Sequence, residues 1–307
     1  MIRIRIMNEN KKVSWLYVLM TVLISSVAVV FQNILTKHYV DEQNGLYKIG
    51  VSTPMVFYVF VSIAVLFILT AVVVMRMDSL PKDLKYGSVM TTIFSFVAAV
   101  LVALAALMFF KGERIVDFQG NLSNVYKLRN VCAFLAIPSA MYYLSVAFSG
   151  KVKKMHTVIL SFFPLILTLV YLMSVYFDKT QMLNDPYRIM QQVALVLLML
   201  YQLFETRAYI GKSKPIIYFM ITNIAILFVS IAFVPDALSL IKDGFKLTEN
   251  NVFSLYGAGM VLYLVSRSID FAIGCDVEGK KITIHKANAK NDIFTVDEED
   301  TEDIVTE

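Results

Sequence analysis

Charged side chains are scarce in this sequence, at 17% of 307 residues, whereas a soluble domain carries about 25%. Apolar residues make up 58% of the chain, and the mean hydropathy is strongly positive, at +0.66. This shortage of charge excludes a chain made of one large or two small soluble domains.

Cysteine and histidine are also rare, with only two cysteines and three histidines. The topology derived below places Cys132 and Cys275 on opposite sides of a membrane, so a disulfide within the chain is not expected. His38, His156 and His285 are divided between two compartments, which excludes a histidine-rich metal site. We therefore expect neither a metal nor another cofactor.

The motifs of the common hydrolases and nucleotide-binding proteins are missing as well. The sequence contains no His-Glu-x-x-His, no Gly-x-Ser-x-Gly, no phosphate-binding loop and no pair of intramembrane aspartates. The soluble segments are too short for a kinase or nucleotidase domain, and no nucleic-acid-binding module is visible. The sequence thus predicts a protein that is not an enzyme and has no nucleic-acid partner.

Eight separated apolar runs of 18 to 24 residues dominate the sequence. A helix needs roughly 20 mostly apolar residues to span a bilayer. Alternation is absent, and a strand in lipid would need a closed barrel. The sequence therefore predicts an all-α integral membrane protein, a bundle of about eight transmembrane helices in the lipid bilayer. The runs are 15–35, 55–75, 87–110, 131–148, 157–177, 190–210, 216–233 and 253–273.

The distribution of Lys and Arg predicts the orientation of this bundle. With the N-terminus in the cytosol, 17 of these residues fall on the inner side and 10 on the outer side, and Arg267 lies within a span. The positive-inside rule then places both termini in the cytosol of a multi-pass cell-membrane protein. The connection between the third and fourth runs, with four cations on the outer side, opposes this orientation. The basic start lacks a small-residue cleavage site, so we expect the first run to be retained as a helix.

A change of composition after Gly274 divides the chain in two. Residues 1–274 are predicted to form the transmembrane domain, and 275–307 a partly disordered, acidic cytosolic tail. Alternation over 281–286 favours a short strand, whereas the last 16 residues contain eight Asp or Glu. The acidic stretch is either simply solvated or a docking peptide for a cytosolic or membrane protein partner.

Two helices carry small residues at every fourth position, a spacing typical of close helix packing in lipid. We expect these stripes to face other helices, and each other. We also expect Pro138 and Pro164, near mid-span in the fourth and fifth runs, to kink their helices. The stripes are Ser95, Ala99 and Ala103 in the third run, and Cys132, Ala136 and Ala140 in the fourth.

Polar residues inside spans are the best pointers to function, and most of them fall in the last three runs. The short hairpin around Ser213 places the predicted polar residues of its two helices at a similar depth. Because a buried cation needs a counterion, we expect Glu205 to pair with Arg267 between the sixth and eighth runs. The candidate cluster is Gln202, Glu205, Arg207, Asn223, Arg267 and Asp270.

Two interpretations of this pair remain open. It is either an ion pair that locks the last helix to the preceding hairpin, or part of a cytosol-facing polar cavity that binds an ion, a lipid headgroup or a small solute. The first interpretation favours a non-catalytic membrane component, namely a scaffold, an accessory subunit or a sensor that acts through its cytosolic face. The second favours a transporter or a channel-like carrier of a small or lipid-like solute. Helices one to five lack charge at mid-depth, which favours the non-catalytic component.

Overall fold

The computed structural model describes residues 2–41, 46–48, 50–75, 88–111, 124–148, 154–178, 185–212, 214–242, 244 and 253–292. These residues form ten helices and no β-strand. The helices are α1 (Ile2–Tyr39), α2 (Thr53–Leu69), α3 (Ala71–Val74), α4 (Val89–Lys111), α5 (Asn124–Ala147), α6 (Lys154–Leu160), α7 (Phe162–Tyr176), α8 (Pro186–Tyr209), α9 (Pro215–Lys242) and α10 (Ser254–Asp292).

Seven stretches of the described chain are long and apolar enough to cross a membrane, and they correspond to the first seven predicted runs. The eighth run, 253–273, is helical over most of its length and forms the first half of α10. It is not among the seven, since it contains the strongly polar residues Arg267 and Asp270. The seven stretches are Lys12–Tyr39, Thr53–Val74, Val89–Met108, Val125–Ala147, His156–Tyr176, Pro186–Tyr209 and Pro215–Lys242.

Six helices pack in a closed ring. Helices α4, α5, α7, α8, α9 and α10 contact one another in this order, and α10 contacts α4 again. Helix α1 packs outside the ring against α9 and α10, and α2 packs against α1 and α9. Of the seven membrane-crossing stretches, that of α9 is the most buried and that of α2 the least. Helix α9, which contacts α1, α2, α8 and α10, is therefore the most enclosed of these seven.

One end of the bundle, which we call the Arg267 end, brings together the amino end of α1 and the carboxyl end of α2. The hydroxyls of Tyr17 and Thr70 are 2.5 Å apart there. The amino end of α7 meets the carboxyl end of α8 at the same end, where the Thr206 hydroxyl donates to Ser161 Oγ at 3.0 Å. Helices α1 and α2 therefore run in opposite directions, as do α7 and α8.

The opposite end, which we call the Asp236 end, joins the other helix termini. Arg129 in α5 forms an ion pair of 3.1 Å with Asp178, which follows α7. Tyr187, at the start of α8, donates a hydrogen bond to Asp236 near the end of α9. Both polar contacts lie near helix ends. The predicted runs had placed Arg129 in the connection between the third and the fourth. Since α5 begins earlier than predicted, Arg129 instead lies in that helix and is 5% exposed.

A proline explains the break between α6 and α7. Pro164 has no N–H to donate to the carbonyl of Leu160, four residues earlier, and its ring crowds that carbonyl. Helix α6 ends at Leu160 and α7 begins at Phe162. The interruption predicted at Pro164 is therefore present, whereas α5 continues through Pro138 from Asn124 to Ala147.

The two stripes of small residues are on α4 and α5. These helices contact each other, and five of the six residues are buried, with Ala103 partly buried. In an apolar solvent, close approach over small side chains replaces the hydrophobic effect as the source of helix association. The predicted packing role of the stripes is confirmed.

The predicted strand over 281–286 is wrong, because these residues continue α10 as a helix to Asp292. A single strand leaves its backbone groups without a ladder partner, whereas a helix bonds its own N–H and C=O groups. The acidic stretch predicted to be disordered lies, from residue 293 onward, outside the described residues.

The contact between α9 and α10 generates a test of the packing. A Cβ atom at Gly257 would overlap the fully buried side chain of Phe233, whereas one at Gly259 would lie 3.3 Å from Leu101 Cβ. Gly257→Ala should therefore destabilise the bundle by about 1–3 kcal/mol, and Gly259→Ala should do so by less. Thermal unfolding in detergent compares the two variants. Equal melting temperatures would contradict this contact.

Candidate functional site

The predicted contact between Glu205 and Arg267 is present and buried. Arg267 Nε donates to Glu205 Oε1 at 2.8 Å, and each side chain is 2% exposed. The Tyr263 hydroxyl donates to the same carboxylate oxygen at 2.7 Å. Because the pair joins α8 to α10 away from water, its two charges attract strongly and each satisfies the other.

The guanidinium of Arg267 has partners on all three nitrogens. Nη2 donates to the Tyr209 hydroxyl at 3.3 Å, and Nη1 lies 3.5 Å from Asp270 Oδ2. Its central carbon also lies 5.8 Å from the ring centroid of Tyr209 and 6.0 Å from that of Tyr263. Cation–π attraction thus adds to the ion pair, and the arginine occupies the aromatic enclosure built by α8 and α10.

Asp270 is held by the amino end of another helix. Oδ1 accepts a hydrogen bond from the Ser88 backbone N–H at 2.9 Å, just before α4 begins, and Oδ2 accepts one from the Thr91 hydroxyl. A helix amino end carries partial positive charge and unpaired N–H groups. Asp270 is near the carboxyl end of the predicted run 253–273, where an acidic side chain is unfavourable, but in the fold it lies at the amino end of α4, where it is favourable.

Gln202 belongs to a separate network, one turn from Glu205. Its Oε1 accepts from the Thr168 hydroxyl at 2.9 Å, and its Nε2 donates to the Tyr256 hydroxyl at 3.2 Å. The hydroxyls of Thr168 and Tyr256 are 2.7 Å apart, which closes a triangle between α7, α8 and α10. All three side chains are buried. Each polar group has a partner, which makes the triangle a cross-link between helices.

The remaining two predicted residues lie apart from the ion pair. Asn223 is fully buried, but it accepts a hydrogen bond of 3.3 Å from Ser268 and donates to the Phe219 carbonyl of its own helix. Arg207 is exposed, with its guanidinium 5.7 Å from the Phe204 ring. Including Arg207 in a common polar layer was wrong, since a residue two positions from Glu205 faces nearly the opposite side of a helix.

Sequence reasoning missed the tyrosines that surround the pair. Tyr263 precedes Arg267 by four residues and Tyr209 follows Glu205 by four, so each lies on the same helix face as its partner. This spacing could have identified both. Tyr142, by contrast, reaches the cluster from α5, with its hydroxyl 3.3 Å from that of Tyr263. No spacing in the sequence predicts that contact.

The Asp236 end carries a second group of buried polar residues. Arg188 is 2% exposed and donates to the Tyr176 carbonyl, although the sequence analysis had placed it in an outer loop. Asp185 lies just outside the α8 span and accepts from the Tyr187 N–H at 2.9 Å, which caps the helix. Burial raises the pKa of Asp185, while the backbone N–H groups oppose that shift.

Acidic and other ligating side chains are scattered in the described part of the chain. No group of three or more His, Cys, Asp or Glu side chains that could hold a metal ion occurs among the described residues. Comparison with known protein families, with curated proteins and with solved structures finds no match to this chain. The function of this chain is therefore inferred from the buried polar cluster around Arg267.

The ion pair generates the second prediction. Glu205→Ala leaves Arg267 buried without its closest counterion and should destabilise the protein by about 3–5 kcal/mol. Adding Arg267→Met removes that charge and should restore part of the loss. The matched control, Arg207→Met, removes an exposed arginine from the same region and should change stability little. Thermal unfolding of the four proteins in detergent measures the effects. If the double variant is no more stable than Glu205→Ala, the unpaired charge of Arg267 is not the cause of the destabilisation.

Proposed function

We propose that this protein is a non-catalytic membrane component, namely a scaffold, an accessory subunit or a sensor that acts through its cytosolic face. The observation that carries the proposal is the saturation of the buried cluster. Arg267 uses all three of its nitrogens on protein groups, and Glu205 Oε1 receives two hydrogen bonds. Such a cluster locks helices together, and each of its charged groups has a partner within the chain.

The length of α10 supports action at the cytosolic face. This helix runs without a break for 39 residues, from Ser254 to Asp292, or about 58 Å at ~1.5 Å per residue. Its first half carries Arg267 inside the bundle, and its second half extends past the Arg267 end. A rigid helix of this kind couples a displacement at the ion pair to the cytosolic segment.

The proposal includes eight crossings, with both termini in the cytosol. The first part of α10, from Ser254 to Ile273, is buried among α1, α4 and α9. Its polar groups pair within the protein, which makes a less apolar helix compatible with a membrane. The excess of Lys and Arg supports the Arg267 end as the cytosolic one. We further propose the cell membrane as the location and residues 275–307 as the region that binds a protein partner.

The topology has a direct test. A reporter that is active only in the cytosol, fused in separate experiments to Met1 and to Glu307, should be active in both fusions. A third fusion, in the connection 179–184 between α7 and α8, should be inactive because that connection lies at the opposite end. Activity at only one terminus would contradict eight crossings.

The acidic tail has a test of its own. Removing 293–307 from the affinity-tagged full-length protein should abolish co-purification of a partner from native membranes. A matched variant of full length, in which the six acids at 297–300, 302 and 303 become Asn or Gln, should lose the same partner if charge mediates the contact. Unchanged partners in both variants would exclude the tail as a docking segment.

Saturable uptake of a solute by vesicles containing the purified protein would favour a carrier instead.

A further inference from the structure

Helix α1 contains two groups of polar side chains that differ in their hydrogen bonding. Ser26 and Thr36 donate to the backbone carbonyls of Val22 and Gln32, four residues earlier, at 2.8 and 3.0 Å. This bond is the usual way in which a helical hydroxyl is satisfied in an apolar environment. Ser26 is exposed on the side of α1 that faces away from the bundle.

The second group is on the buried face of the same helix. Thr21 Oγ1, Ser25 Oγ and Gln32 Oε1 are buried and have no hydrogen-bond partner among the described residues. Their side chains are 1%, 4% and 5% exposed, respectively. Eleven positions separate the first residue from the last, which is about 16 Å along the helix axis at ~1.5 Å per residue. These atoms therefore form a row across the middle of the α1 span.

Neighbouring helices cover this row. Helix α1 packs against α2, α9 and α10. Ala28 and Leu35, on the same face as the row, share a buried cluster with Leu227 and Ile231 of α9. At the Arg267 end, the rings of Tyr17 and Phe219 are in edge contact, with 6.5 Å between their centroids. The row therefore faces the interior of the protein and not lipid.

Three unpaired polar atoms on one buried face are not explained by packing alone. A buried hydroxyl or amide without a partner is strongly unfavourable, and such groups in proteins are usually bonded to ordered water. A buried water typically makes two to four hydrogen bonds to groups of this kind. Ser26 and Thr36 show that a hydroxyl on α1 can donate to a carbonyl of its own helix, yet the hydroxyls of Thr21 and Ser25 do not form such a bond.

We propose that water binds along the seam between α1 and α9, where it hydrogen-bonds Thr21 Oγ1, Ser25 Oγ and Gln32 Oε1. The seam places this water near the middle of the α1 span. This hydration is independent of the ion pair and of the function proposed above.

Isosteric removal of a hydroxyl tests the proposal by stability. If water binds Thr21, then Thr21→Val loses those hydrogen bonds, and the melting temperature should fall by a few degrees. If the hydroxyl is unpaired, the same change removes an unfavourable polar group and the melting temperature should rise. Thr36→Val is the matched control on the same helix, where the hydroxyl is exposed and bonded to its own backbone.

Thiol accessibility tests the same seam by chemistry. In a protein carrying Cys132→Ala and Cys275→Ser, Ser25→Cys places a thiol on the buried face of α1, and Ser26→Cys places one on an exposed face at nearly the same depth. Aqueous Ag⁺ displaces the thiol proton and binds the sulfur where water reaches it. Ag⁺ should then protect Cys at position 25, but not at 26, from alkylation by a maleimide after unfolding. Thr21→Cys offers a second position should Ser25→Cys fail to fold.

The two experiments together decide the proposal. A lower melting temperature for Thr21→Val than for the Thr36→Val control, with protection at position 25 and not at 26, supports a hydrated seam. A rise in the melting temperature of Thr21→Val overturns it. Equal protection at the two cysteine positions also overturns it, since the thiol in the seam would then be no more accessible to water than the outward-facing one.

Discussion

The pairing of Arg267 with Glu205 is the constraint on which the arrangement of the central helices depends. A guanidinium inside a bundle surrounded by lipid is tolerated only when its charge and donors are satisfied by protein. Satisfying it requires Glu205 and Tyr209 from α8, and the same guanidinium also lies beside Asp270. Helix α10 meets these demands as a member of the ring of helices. Its first half, which is not among the seven stretches apolar enough to cross a membrane, is therefore largely buried.

Asp270 extends the constraint to a third helix. Its carboxylate accepts from Ser88 and Thr91 at the amino end of α4, so one acidic side chain orients α4 and also faces Arg267. The triangle of Gln202, Thr168 and Tyr256 adds a cross-link to α7. Because these contacts are all internal, the cluster is better suited to fixing the position of α10 than to binding a solute, in agreement with the proposed non-catalytic role.

The depth of each polar residue along its helix could be predicted from the sequence. The direction in which its side chain points could not. Counting residues from the helix ends correctly matched Glu205 with Arg267, since rise per residue is nearly constant. The same count grouped Arg207 and Asn223 with them. Arg207 points outward, and Asn223 contacts Ser268 on a different part of α10. Rotation about a helix axis depends on packing with neighbours, which a count along one chain does not contain.

The sequence alone determined that the protein is helical and where the seven stretches that are long and apolar enough to cross a membrane lie. Both properties follow from the length and apolarity of continuous segments, and backbone groups in lipid must bond within their own segment. Only the tertiary structure decided which helices become neighbours. Asp270 meets Ser88 across 182 positions of sequence, and Tyr142 reaches Tyr263 across 121. Such contacts arise because side-chain volume and charge must be matched on all sides of each helix at once.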